Sequence, residues 1–473
     1  MPDKCLLIVL DGLGDRSHQT LGWQTPLQAA HTPHLDSLAR NGANGLYHAG
    51  TLGEALPSET AHFAMFGYER RDFPGRGPLE ALGAGINLDS REVAVLAHFA
   101  ALEERDGCLA LVQDVPQVSK EDVAALAGAM PTWDQEDIRI RYVPVKGVFG
   151  VLILSGDVSP DITDTGPMRA GRFLPDLLPL ALDHSREPEA DGTDGSDAGD
   201  STEACAQETA QKRARKAAQK AAQKTAQKTA SVLRAYLLHV WHTLQTHPLN
   251  ARREEAGLPP VTGLVTQRAG RMRSVTPFTR RFGLRGLSIA SGAVFRGLAR
   301  YLGMDWQAPR DTGNLRADFA HDLAAVPGYL ERYDFIHLHT KAPDEAAHAK
   351  DPLLKKAVIE TLDQALGTVE QTLLQHPALL VVITADHSTP SSGNMIHSGE
   401  PVPLLMHGAG VRRDLVDRFN EIHAAQGCLG CVRGMELMRL ILNHLDMARL
   451  EGTRDTPDDC LHWPGNYQPL RAH

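Results

Sequence analysis

Three short apolar runs in this chain each end in residues able to hold a divalent cation. They are Leu6-Leu7-Ile8-Val9-Leu10 into Asp11-Gly12, Asp334-Phe335-Ile336-His337-Leu338-His339 into Lys341 and Asp344, and Leu379-Leu380-Val381-Val382-Ile383 into Asp386-His387. A short apolar run bounded by Gly, Pro or Asp reads as a strand buried on both faces, the kind found in parallel sheets. Open parallel sheets gather ligands just beyond the carboxyl ends of their strands. Carboxylates and imidazoles hundreds of residues apart thereby become neighbours. Their convergence is the main functional signal.

Residues 1–80 and 232–473 alternate strand-like runs with amphipathic helix-like segments. That predicts an α/β core, a mostly parallel sheet sandwiched by helices. Pro352 to Leu373 is one such helix, with Leu353, Val358, Leu362, Leu366 and Val369 at helical spacing. Residues 81–184 read differently. Runs such as Val93–Leu96 and Val148–Leu154 predict a smaller inserted α+β domain, placed to act as a cap. Residues 185–231 form a low-complexity insert: Arg186 to Glu208 is acidic and rich in Gly, Ser and Asp, which predicts disorder. A repeat with Lys216, Lys220, Lys224 and Lys228 follows, and its Ala, Gln and Lys predict a solvated helical spacer.

Composition narrows the function classes. With 42% apolar and 22% charged residues the chain reads as a soluble globular protein. A net charge of -10 argues against a general nucleic-acid binder, which must neutralise phosphates. No apolar run approaches the roughly 18–20 residues of a membrane span. The first strand runs into Asp11 too soon for a signal peptide. Six scattered cysteines form no disulfide framework, and Cys428-Leu429-Gly430-Cys431 is a lone pair of incidental thiols, so a cytoplasmic setting is expected.

Each candidate site residue also has an ordinary structural reading. Asp11-Gly12 is common turn chemistry. In Pro57-Ser58-Glu59-Thr60-Ala61-His62, Ser58 can be a plain helix N-cap, or can stand at a helix N-terminus where an anion such as phosphate is favoured. Asp344 and His348, four residues apart, share one face of a helical turn and can reach one metal. Asp386 and His387 stand adjacent at a strand end, with His397 on a later loop. Taken together they make two metal sites, the chemistry of phosphoryl transfer, with ions roughly 3.5–4 Å apart clamping attacking and leaving oxygens. A metal can also deprotonate a serine nucleophile. Carboxylate, imidazole and hydroxyl donors without thiolate suit Zn or Mn.

In this order the motifs resemble the alkaline phosphatase superfamily, and most of all the archaeal-type cofactor-independent phosphoglycerate mutases. The resemblance is carried by Val9 through Arg16, Thr25 through Ala30, Thr32 through Asp36, Pro57 through Tyr68, Gly75 through Ala81, Asn250 through Pro260 and the motifs near the C-terminus. It implies that Ser58 is the nucleophile that becomes phosphoserine. One metal would take Asp11, Ser58, Asp386 and His387, and the other Asp344, His348 and His397. Lys341 looks like the phosphate-contacting lysine. The implied reaction interconverts 2- and 3-phosphoglycerate, a small phosphorylated substrate. The cap departs from the pattern. Leu96-Ala97-His98-Phe99 stands where such mutases read Arg-Cys-Asn-Phe, and the Arg-rich stretch that follows there is absent between Ala101 and Lys120. Arginine grips carboxylate and phosphate in bidentate geometry, so its loss loosens the hold on phosphoglycerate. Arg169 and Arg172 are candidate replacements. The alternative is a related phosphomonoesterase or phosphotransferase; a non-catalytic scaffold would show damaged ligands, and the sequence has none.

Overall fold

The structure is a computed structural model of the 473-residue chain. It describes every residue except 1, 131, 168, 182–200, 375, 458–459, 466–467 and 473, and over 201–212 it describes the backbone alone. The chain divides into two compact units. Unit 1 is Met1–Phe73 with Ser274–His473, and unit 2 is Pro74–Arg273.

In chain order, unit 1 begins with strands β1 (Lys4–Leu10) and β2 (Ala43–His48). Unit 2 supplies β3 (Val93–Arg105), β4 (Cys108–Gln113), β5 (Trp133–Gln135), β6 (Ile138–Lys146), β7 (Phe149–Ser155) and β8 (Gly263–Arg271). The return to unit 1 supplies β9 (Gly286–Ile289), β10 (Asp305–Gln307), β11 (Phe335–Thr340), β12 (Leu379–Thr384), β13 (Val402–His407) and β14 (Gly430–Arg433).

Unit 1 carries an eight-stranded sheet in the order β10-β9-β11-β1-β12-β13-β2-β14. All neighbours are parallel except at β13, which is antiparallel to β12 and to β2. The three apolar runs are three adjacent central strands, with β1 between β11 and β12. Residues Cys5 through Leu10 and every residue of β12 are buried, as a strand covered on both faces requires. Burying such a Leu, Ile or Val contributes roughly 1.5–3 kcal/mol, so this tripod is a firm base for whatever stands at its ends. Helices such as Pro33–Arg40, Ala293–Leu302, Leu315–Leu330 and Pro352–Gly367 complete the α/β core. No helix among the described residues is long and apolar enough to cross a membrane.

Unit 2 is an antiparallel sheet, β4-β3-β7-β6-β5, with β8 also paired to β3. Its limits differ from those the sequence predicts. The return to the core falls after Arg273 and not at 232, because β8 pairs with β3. The first break falls before Pro74 and not after 80, so helix Arg76–Gly83 belongs to unit 2. The expected acidic disorder lies, over 186–200, outside the described residues. From Ser201 the backbone is helical through Gln245, so the disorder predicted up to Glu208 does not extend there. The spacer reading holds only for the first half of this helix: Lys216, Lys220 and Lys224 are exposed. Farther on, Leu233, Tyr236, Val240 and Leu244 enter the core of unit 2 beside Val95, Phe99, Leu126 and Leu152. Lys228 pairs with Asp137 of the same unit.

Candidate metal centre

Most donors in the centre stand at or shortly beyond the carboxyl end of a unit 1 strand, and His397 lies on the loop between β12 and β13. Asp11 follows β1, Asp386 and His387 follow β12, and Asp344 lies in helix Ala342–His348 just past β11. Gly12 lets these ends approach. Its φ is +65°, and a Cβ there would lie 2.6 Å from Thr389 Oγ1 and 2.8 Å from Asp344 Oδ1. Ser58 opens helix Ser58–Met65, whose N-cap is Pro57, so the serine hydroxyl is not spent on capping. Its Oγ lies instead 3.0 Å from His387 Nε2.

The donor atoms of Asp11, Asp386 and His387 all lie within 4.8 Å of one another, and so do those of Asp344, His387 and His397. His387 therefore stands between two donor groups, where the sequence places it in one. His348 Nε2 is 3.3 Å from Asp344 Oδ2 with 39% of its side chain exposed, at the rim of the cluster. Lys341 sits at the N-cap of helix Ala342–His348 with its ammonium over the Phe295 ring, 5.3 Å from the centroid. Arg169 and Arg172 are exposed residues of unit 2. In the same unit His98 is buried and 2.9 Å from Asp114 Oδ1.

The acids and imidazoles of the cluster shift one another's protonation. Burial, then the charges of Asp386 and Asp344, push Asp11 well above the usual carboxylate range. Burial pushes Asp386 the same way, but the neighbouring His387 outweighs it and holds Asp386 well below that range. His387 is correspondingly raised: burial opposes its charge, and the Asp386 carboxylate prevails. Burial and the nearness of His387 pull His397 down to about 4, a neutral imidazole at neutral pH. Its Nδ1–H donates to Leu56 O at 2.8 Å, which turns the Nε2 lone pair toward the donors. Asp11 Oδ1 and Asp386 Oδ2 are buried without a hydrogen-bond partner among the described residues. His387 Nε2 lies 3.5 Å from the first and 3.1 Å from the second, and a divalent cation would satisfy both buried oxygens. The residues fit a metal.

Residues not singled out by sequence reasoning orient the donors. His339, on β11, faces Asp11 Oδ2 through Nε2 at 2.9 Å. His62 Nδ1–H donates to Ser58 O at 2.8 Å. Thr389 Oγ1 accepts from His387 Nδ1 at 3.1 Å and donates to Asp344 Oδ1 at 2.7 Å, joining both donor groups. Burial holds His62 and His339 below the usual imidazole range, hence neutral. The alternation His337-Leu338-His339 was a readable signal, because period two puts both imidazoles on one face of a strand beside Asp11.

The chain is similar to known proteins over most of its length. The model of the metalloenzyme superfamily matches residues 3–444. The 2,3-bisphosphoglycerate-independent phosphoglycerate mutase 2 of Methanocaldococcus jannaschii is 36% identical over 454 residues, 95% of each chain. The corresponding mutase of Methanopyrus kandleri is 33% identical over 451 residues, 94% of this chain and 96% of its own. Among solved structures, the PH0037 protein from Pyrococcus horikoshii has a TM-score of 0.71 at 26% identity, covering 96% of this chain and 100% of that one. The cofactor-independent phosphoglycerate mutase from Thermoplasma acidophilum gives 0.58 at 26% identity, covering 94% and 100%. The chain belongs to the metalloenzyme superfamily and, within it, to the family of 2,3-bisphosphoglycerate-independent phosphoglycerate mutases. It is an enzyme of the isomerase and phosphotransferase type, and its donor set serves a divalent metal.

Proposed function

We propose that this enzyme interconverts 2- and 3-phosphoglycerate, with Ser58 carrying the phosphoryl group between the two glycerate hydroxyls. The observation behind this reading is the place of Ser58 Oγ, 3.0 Å from His387 Nε2 where the two donor groups meet. Asp11, Ser58, Asp386 and His387 would hold one divalent ion, and Asp344, His348 and His397 a second, each Mn or Zn. Such ions, when bound, supply Lewis acidity that neutralises charge on the transferring group.

The chain's own residues do the rest. Ser58 Oγ bonds to phosphorus as the bond from phosphorus to the glycerate oxygen breaks, and the serine proton ends on that oxygen. The reverse step at the other hydroxyl restores Ser58, so no water is consumed and no phosphate is lost. Lys341, beside the donors, would hold phosphate oxygens by charge and hydrogen bonding. Arg169 and Arg172 would be further substrate-binding residues. A cytoplasmic setting suits a small phosphorylated metabolite and the free thiols of Cys5, Cys108, Cys428, Cys431 and Cys460.

One observation favours a second reading. Unit 2 holds Leu96-Ala97-His98-Phe99, with His98 engaged by Asp114, where the pattern of the mutases it resembles reads Arg-Cys-Asn-Phe. A phosphomonoesterase or phosphotransferase acting on another small phosphorylated metabolite would use the same phosphoserine. Purified protein with manganese, offered 3-phosphoglycerate, distinguishes them: 2-phosphoglycerate supports the mutase, free phosphate the esterase, and transfer to an added alcohol the phosphotransferase. Ser58→Ala should abolish whichever activity appears. Undiminished activity in that variant sinks the mechanism.

A further inference from the structure

Lys355 lies in helix Pro352–Gly367, apart from every donor, and is completely buried. A buried ammonium is costly unless its three hydrogens all find acceptors. Here Nζ donates to Gly14 O at 2.8 Å, to Thr389 O at 2.8 Å and to Asp15 Oδ2 at 3.1 Å. Gly14 and Asp15 lie on the loop that opens with Asp11, and Thr389 lies on the loop that opens with Asp386 and His387.

The same two loops meet directly. The Thr389 N–H donates to Gly14 O at 2.9 Å, so that carbonyl receives both the amide and the ammonium. The Asp15 carboxylate also accepts from Ser391 N–H at 3.1 Å, which ties in a residue farther along the second loop. From Thr389 the tie continues through Oγ1 to His387 Nδ1 and Asp344 Oδ1. Ser398 N–H donates to Ser388 O at 3.0 Å, which joins the segment bearing His397.

We propose that Lys355 is a positioning residue of the metal centre, locking the Asp11 loop against the Asp386–Thr389 loop so that donors from separate strands meet one cation. The proposal rests on the metal-dependent reading of the site. A buried pair serving stability alone would lower the melting temperature on removal without changing metal affinity. A positioning residue would change the affinity of protein that is still folded. Partners that orient metal ligands typically control affinity by about 10–100-fold.

The test is calorimetric titration of metal-stripped, full-length protein with manganese chloride, alongside melting of the stripped protein. Lys355→Met strands the Asp15 carboxylate in the interior and is at risk of not folding. The paired variant Lys355→Met with Asp15→Asn removes both charges, keeps similar volumes, and leaves the loops without their ammonium. It should fold and bind manganese about 10–100-fold more weakly than the parent. Its kcat should recover as manganese is raised, with KM for the phosphorylated substrate unchanged. Lys356→Met, which removes a neighbouring lysine paired to Glu360, should bind as the parent does. A paired variant that melts lower yet binds manganese like the parent overturns the positioning role and leaves the metal reading standing. A parent that binds no manganese overturns both.

Discussion

Thr389 shows how much of the centre depends on residues that touch no metal. Its hydroxyl accepts from His387 and donates to Asp344, so one side chain sets the tautomer of an imidazole shared by both donor groups and the rotamer of a carboxylate. Thr389→Val keeps the shape and removes both bonds. It should lower manganese affinity by about tenfold or more while the melting temperature of the stripped protein moves little. Equal affinity in titration calorimetry would remove Thr389 from the account of the site. Asp11, Asp344 and Asp386-His387 were legible because they follow apolar runs, whereas His397 stands on a later loop. Thr389, His62 and Lys355 were not, since threonine, an intrahelical histidine and a helical lysine are ordinary in sequence. Their roles arise only once β1, β11 and β12 lie side by side.

At the scale of elements, the amino ends of three adjacent strands are pinned as firmly as their carboxyl ends are functional. Asp334, just before β11, accepts from Lys4 of β1 at 2.8 Å and from Nε and Nη2 of Arg285, just before β9, at 2.9 Å each. Burial works against the Asp334 carboxylate, but the bonds from Arg285 and Lys4 outweigh it and hold it well below the usual range. A carboxyl depressed in the folded state stabilises above its unfolded pKa of about 3.9 and loses that contribution as pH falls below it. Asp334→Asn should therefore be less stable than the parent at pH 7, and denaturant titrations should show the gap closing as pH drops below about 4. A gap that stays constant down to low pH would contradict this. The strands were readable from the apolar runs; the pin was not, because an Asp ahead of a strand looks the same whether or not two cations converge on it.

At the scale of the whole molecule, the two units differ in design, a mostly parallel sheet in one and an antiparallel sheet in the other. Both donor groups found among the described residues lie in unit 1: Asp344, His387 and His397 all come from its second segment, while the other group joins Asp11 of the first segment to Asp386 and His387 of the second. Unit 2 is an antiparallel sheet whose boundary escaped the sequence. Leu233, Tyr236, Val240 and Leu244 read as another core helix until β8 is seen to pair with β3. Family membership and the donor groups define the reaction class. The central claim is that the phosphoryl group passes through Ser58. The most direct measurement is rapid quench of the manganese-loaded enzyme with 3-phosphoglycerate, followed by mass spectrometry of its peptides. Phosphate on Ser58 that appears within a turnover, needs the metal, and vanishes together with activity in Ser58→Ala is the expected result. Turnover to 2-phosphoglycerate by Ser58→Ala at the parent's rate would contradict it.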